Sequence, residues 1–478
     1  MNRILGILVL FIALPAMAWE WWPLPMAEPD TCRDSVLYVG QFSVLTSTGD
    51  AAPSLLHTNT NGNISSLPHS TNLSLGIIKP ATRPNRWFDY DGAIVLTGRL
   101  QSAQQTSFHS PKPEITGYFR ELYAHVRLYI VDITAGIHPV YYGAGDPELT
   151  GGSLWLSNNA HPIPRITVGL DNWTPIPGLF GYAELKGGIT HGWLNDNNKI
   201  VSKTLFHHKF IGGRIGGKLP INISYEFHHV AQWGGYSDIS GDLGNDLSAF
   251  KNIFAAKGGG VTSNERLNAQ GNHILSQQLC LIAKGNGWQV DVYWQDMQED
   301  GRPRFIGCGQ NARDGLWGIH ASQTHWRYIS GLTLEFLQTT DQSGPYHDRD
   351  GYVFGGNDNY YYNIVYAQGW TYFGRCMGSS FCSPQNNRVM AYFAGLKGDI
   401  YGFRYRAVYT HATSYGTYKA PLPKQTTNAF LLEVKKRVQK AWDLEFGLSL
   451  AGDVGDKEHK GSYGFMFTIT KQGLITNY

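Results

Sequence analysis

The chain has 478 residues and a formal net charge of only +2, with charged residues at 16% and aromatics at 13%. That weak, balanced charge provides no basic patch, which excludes nucleic acid as a partner. Mean hydropathy is negative and, after residue 18, no apolar run is long enough for a spanning helix, so any membrane crossing has to be made by strands.

Asn2 and Arg3 precede an apolar run from Ile4 to Ala18 that ends in Ala16-Met17-Ala18. This is the pattern of a secretory signal peptide over residues 1–18, with the mature chain beginning at Trp19. No cysteine follows the cleavage site, which argues against a lipid anchor. Residues 19–34 are rich in proline and aromatics and read as an irregular lead-in. Residues 35–478 read as one barrel domain, because strand-like segments follow one another and no linker divides them.

The governing pattern is a period of two. Between Gly117 and Ile133, Leu122, Ala124, Val126, Leu128 and Ile130 share one face, and Glu121, Tyr123, His125, Arg127 and Tyr129 share the other. Soluble strands usually run about 5–6 residues and spanning strands about 9–11, so this segment predicts a barrel strand that projects past the membrane. The alternation recurs at Ile223, Tyr225 and Phe227, at Val290, Val292 and Trp294, at Leu332, Leu334 and Phe336, and at Trp442, Leu444, Phe446, Leu448 and Leu450. The expected fold class is all-β, a large antiparallel transmembrane barrel of the outer membrane.

Near the end, Ser462, Gly464, Phe467 and Ile469 have the spacing of an outer-membrane insertion signal, which implies barrel-assembly machinery and outer-membrane lipid as partners. A monomer is expected. Longer irregular stretches fall at 234–272, 341–359, 370–385 and 411–425. Counting back from a periplasmic C-terminus puts 411–425 outside and a basic turn at Lys435, Lys436 and Arg437 inside.

The inferred inward set holds Glu121, Glu184, Glu226, Asp291 and Glu335 with Arg127, Lys186, Arg404, Arg406, His125 and His228. Charges of both signs in a confined lumen should pair and fill it, since an unpaired buried charge is costly. A polar pathway for sugars or ions is the alternative, and a catalytic carboxylate pair a third. The doublets His207-His208 and His228-His229 point their rings to opposite faces of a strand, so neither suits one metal ion. Asp348-Arg349-Asp350-Gly351 lacks the further ligands of a calcium loop and reads as a turn. No nucleophile motif, phosphate loop or zinc-protease motif is present, so no enzyme, cofactor or metal is expected.

Strand-end aromatics such as Trp294, Trp442 and Tyr225 suit interfacial girdles. Trp370, Tyr372, Tyr415 and Tyr418 lie in expected loops, where they either stack on sugar rings or pack. Five cysteines are an odd number for an oxidising compartment. Cys376 and Cys382 are close enough for a loop disulfide, and a Cys280–Cys308 pair would leave Cys32 free.

An ordered series of stretches resembles the Wzi-type capsule assembly family in its Bacteroidetes-like form. These are SNNAHPIPRITVG from Ser157, ELKGGITHGW from Glu184, HHKF from His207, FHHVAQWGG from Phe227, NAQGNH from Asn268, YWQDMQEDG from Tyr293, DGLWGI from Asp314, DQSGPYHD from Asp341 and NNRV from Asn386, with LLHTNTNGNISS from Leu55 as a weaker N-terminal match. The resemblance implies a largely plugged outer-membrane barrel of roughly 16–18 strands. It implies a surface lectin that attaches capsular or exopolysaccharide to the cell and is not an enzyme, with a saccharide pore or conduit as the alternative. The best-known members carry a periplasmic helical bundle near the N-terminus, and no strong helical pattern is found in this chain. By position the family motifs single out Asn159, Pro162, His191, His208, Lys209, His229, Gln232, Trp233, Asn272, His273, Glu299, Asp300, Gln342 and His347. Most read as plug and loop-bracing residues, with Gln342 and His347 joining the loop aromatics as sugar-binding candidates.

Overall fold

The computed structural model describes residues 35–81, 87–102, 113–196, 200–299, 313–344, 348–349, 352–353, 356–439, 442–456 and 461–477. The expected signal peptide and lead-in, Cys32, Cys308, Asp300, His347, Asp350 and Gly351 lie outside the described residues.

Eighteen long strands make the wall: β1 (Ser35–Ser47), β2 (His69–Lys79), β3 (Phe88–Gln101), β4 (Glu114–Leu128), β5 (Val131–Ile137), β6 (Pro164–Pro175), β7 (Ala183–Leu194), β8 (Thr204–Ile215), β9 (Ile221–Trp233), β10 (Asn272–Gly285), β11 (Trp288–Gln295), β12 (Gly315–Gln323), β13 (Gly331–Gln338), β14 (Val389–Ile400), β15 (Phe403–Gly416), β16 (Pro421–Val438), β17 (Leu444–Gly455) and β18 (Ser462–Asn477). Each pairs antiparallel with its chain neighbour, and β18 returns to β1 through thirteen registered residue pairs, so the sheet closes into a barrel. Closure removes the unpaired edges that lipid could not satisfy.

The outward side chains are apolar and exposed, as Ile94, Ile133, Val168, Ile211, Val292, Phe430 and Leu448 show. The inward neighbours are polar or packed. Two aromatic bands flank this apolar surface. Toward one end, the rings of Trp317, Phe336 and Tyr392 lie 5.6 Å and 5.0 Å apart on successive strands. Toward the other, Trp87, Tyr129, Phe180, Tyr401 and Trp442 are exposed. Tyr401 follows Tyr392 by nine positions. At about 3.3 Å per residue and a tilt of about 40° that is about 23 Å, close to the lipid-facing height of such barrels.

The two ends differ. At the second band the reversals are short, Tyr401-Gly402 being a two-residue turn with φ of 53° and 78°, as a type I′ hairpin requires. At the other end lie the long connections 48–68, 138–163, 234–271 and 339–388.

The structure corrects several boundaries. Gly117 to Ile133 is two strands, because Tyr129 adopts φ 57° and turns the chain. The register of β3 with β4 also slips between Val95 and Leu96, which leaves Arg120 as an extra residue. Its insertion moves the lumen-facing set from Tyr118 on one side to Glu121 on the other. Trp442 has φ 59° and sits in the turn before β17 rather than on it. Lys435, Lys436 and Arg437 belong to β16, and most of 411–425 is strand, with the reversal confined to residues 417–420. Residues 234–272 include two helices, α1 (Leu247–Ala255) and α2 (Ser263–Leu267).

Candidate functional site

Two long connections fold into the barrel from the long-loop end and meet on its axis. Loop 138–163 brings Tyr142, Leu154, Trp155 and Ile163, and loop 339–388 brings Tyr360, Tyr361, Trp370, Tyr372, Cys376 and Met377. They pack with Leu194, Phe206, Val230, Ile274, Leu316 and Val389 from the wall in one apolar cluster. The middle of the plug is therefore aromatic. Its polar groups bond across the two loops: the Tyr361 hydroxyl donates to the Leu154 carbonyl at 2.6 Å, and the Trp370 indole N–H to that of Trp155 at 2.6 Å.

Buried carboxylates moor these loops to the wall. Glu335 on β13 accepts from the Thr150 hydroxyl (2.6 Å), the Gly151 N–H (2.7 Å) and the Tyr293 hydroxyl (2.6 Å). Asp314 accepts from the N–H groups of Asp341 (3.0 Å) and Gln342 (2.7 Å) and from the Tyr360 hydroxyl (3.0 Å). Burial pushes the Asp314 carboxyl up to about 6 against these bonds. Glu299 accepts from the Tyr361 N–H, and Gln232 donates to the Gly369 carbonyl. Asn159 donates to the Cys376 carbonyl, Asn272 to Gln232.

Around and below the plug the lumen charges pair. Arg127 meets Asp132 at 2.8 Å, with His125 between Asp91 and Asp132. Lys186 meets Glu226 at 3.1 Å, His228 stands 3.4 Å from the same carboxylate, and Arg214 meets Glu184 at 2.5 Å. Arg406 and Lys435 share Glu433, while Arg404 pairs with Glu445. Glu121 lies 3.7 Å from Arg120. Asp291 and Glu335 instead take neutral donors, Gln289 serving Asp291. The carboxyl and imidazole groups are thus distributed among partners around the wall.

The loop candidates separate sharply. Trp370 and Tyr372 are 0% and 1% exposed, so neither offers a free ring face: both point into the plug. Gln342 is buried and donates to Asn387. Tyr415 and Tyr418 are half-buried at the mouth, Tyr418 lying 4.0 Å under the Arg388 guanidinium and donating to the Asp341 carbonyl. Cys376 and Cys382 are buried free thiols rather than a disulfide, the Cys382 sulfur lying 3.8 Å from the Thr339 hydroxyl.

Sequence reasoning missed the neighbour of Tyr372. The ladder Thr371–Tyr372 with Arg375–Cys376 turns at Phe373 and Gly374, whose φ values are 47° and 72°. That turn leaves Phe373 55% exposed, its N–H donating to Asp196 and its ring 5.7 Å from that of His161. Beside it, Asn61, His138, Asn158, His161, Arg165 and Met377 line a cleft between plug and wall. Arg375 holds the loops together there by donating to the His57 and Ile64 carbonyls. An exposed aromatic face next to amides, imidazoles and a guanidinium is chemistry suited to a hydroxyl-rich ligand.

These features define a class: a closed, plugged β-barrel of the outer membrane. Within it, the chain belongs to the family described as "Capsule assembly protein Wzi", whose profile matches residues 87–458. In structure it is similar to Escherichia coli Wzi, "an outer membrane protein involved in group 1 capsule assembly" and "a carbohydrate binding beta-barrel", at 14% identity and TM-score 0.56 over 90% of this chain and 84% of that one. Pseudomonas aeruginosa OccK7 (OpdD) aligns at 10% identity and TM-score 0.48 over 92% and 99%. No curated protein matches the sequence.

Proposed function

We propose that this chain is a surface lectin of the outer membrane, which binds capsular or exopolysaccharide at its long-loop end and holds the polymer on the cell. Short turns face the periplasm in such barrels, which puts the long loops outside. The observation that carries the reading is Phe373, an exposed ring beside the cleft of Asn61, Asn158, His161 and Arg165. Family membership and the description of Escherichia coli Wzi support it. Each contact is weak, but a repeating polymer engages many copies, so retention comes from avidity. The role is binding without turnover, and the ligand needs no cofactor. The alternative of a saccharide pore is disfavoured by the aromatic core that occupies the lumen.

The test compares cell-bound with shed polymer in cells carrying the parent protein, Phe373→Ala or Asn158→Ala, with total polymer measured alongside. More shed polymer at unchanged total is expected for both variants. Unaltered retention in both, with the barrel folded, overturns this site. Unaltered retention in cells lacking the gene overturns the lectin itself.

A further inference from the structure

The connection 234–271 turns the other way and lies down the outside of the wall. Helix α1 buries Ala249 and Ile253 against Ala231 and Trp233 of β9. Asp246 caps it through the Ala249 N–H, and Thr262 with Glu265 forms a capping box on α2. Beneath this flap His207, His229 and His273 are 0%, 2% and 1% exposed. His207 and His229 each stand eight residues from the turn end of their strands, as Tyr392 of the upper aromatic band does on β14.

Polar groups at that height on the outer face would otherwise meet lipid, and the flap covers them, pairing His229, His273 and Lys209. His273 Nε2 donates to the Gln270 carbonyl at 2.6 Å, and its Nδ1 accepts from His229 at 2.8 Å. Lys209 donates to the Phe254 carbonyl and sits 3.9 Å over its ring.

The helical part of the flap, residues 247–267, is apolar and basic on its outer side, while the exposed Asp238, Asp242 and Asp246 lie ahead of it in the connection. Leu247 is 68% exposed and Leu267 85%, and the surface continues the lipid-facing belt marked by Ile189 and Ile211. Lys251, Lys257 and Arg266 are exposed and make no ion pair among the described residues. The single acid between 247 and 267, Glu265, is 2% exposed and occupied by Thr262 and the Gly271 N–H. We propose that this flap is a binding surface for anionic lipid of the outer leaflet, with Leu247 and Leu267 among the acyl chains and Lys251, Lys257 and Arg266 on headgroup phosphates. Continuity with the membrane-facing wall favours lipid over a soluble partner.

The test uses the full-length protein in nanodiscs of phosphatidylcholine with or without phosphorylated lipid A. Spin labels go on Leu247→Cys and Leu267→Cys, with Lys419→Cys as a solvent control and the unsubstituted protein as labelling control. Oxygen should relax the two flap labels more than a nickel chelate does, and the reverse should hold at position 419. Nickel dominance at both flap positions overturns the proposal. The triple variant Lys251→Gln, Lys257→Gln, Arg266→Gln, shown folded by heat-modifiable migration, should retain at least threefold less lipid A by native mass spectrometry. Equal retention overturns the headgroup assignment even if the labels lie in lipid.

Discussion

Glu335 ties the inner loop 138–163 to β13, and Glu335→Ala cuts that tie without touching a backbone hydrogen bond of the wall. The change strands three buried donors, the Thr150 hydroxyl, the Gly151 N–H and the Tyr293 hydroxyl. A buried group left without a partner costs about 1–3 kcal/mol, which would total about 3–9 if nothing relaxed. Water entering the vacated space and the loss of a desolvated carboxylate offset part of this, so about 3 kcal/mol is expected. At about 1.4 kcal/mol per tenfold, the loop-open population rises about a hundredfold. Amide exchange read at Gly151 to Leu156, against the amides of β13 and β14 as an internal reference, reports it. Faster loop exchange over an unchanged wall is expected, with Glu335→Gln intermediate because its amide still accepts but turns an N–H₂ toward a donor. Unchanged loop exchange in a folded Glu335→Ala barrel refutes the mooring. Equal acceleration of loop and wall refutes the separation of plug from barrel.

Asp314 should make plug stability pH-dependent. Its carboxyl sits at about 6 when folded and near 3.8 when not, so the folded state holds the proton more tightly. Stability then falls as pH rises from about 4 to about 6, by about 3 kcal/mol, and levels off above. Amide exchange of residues 341–344 should follow that trend in the parent and stay flat in Asp314→Asn. Tyr361→Phe removes the donor to the Leu154 carbonyl and should cost about 1 kcal/mol, seen as faster exchange in 154–156 while the wall is unaffected. Burial raises the Cys382 thiol to about 12, so maleimide should label Cys376 and Cys382 only after denaturation. Failure to label in denaturant without reductant would show a disulfide instead. In planar bilayers the parent should stay closed, and a steady open conductance would restore the pore reading.

The wall was legible because lipid on one side and a largely polar lumen on the other impose an alternation, as at Leu332 to Phe336. It broke where one residue changes the phase: Arg120 shifts β4, and Tyr129 ends it. The same parity decided the loop aromatics. Tyr372 and Phe373 are adjacent, and only the positive φ at Phe373 determines which ring points out. The plug contacts were not legible, since Tyr361 and Leu154 are 207 residues apart and pair only through the closed wall. The flap did leave a local signal, Thr262 followed by Glu265 three residues later, which is a helix start.

The seam between Ser35–Ser47 and Ser462–Asn477 encloses everything that lies between them in the chain. Strand β18 is the last strand of the wall, whereas the loops that meet on the axis end by residue 388. Every piece of the filling therefore lies between the two strands that seal the wall. The filling belongs to the same thread as the wall around it, and a chain lacking β18 would leave that wall with two unpaired edges, on β1 and β17.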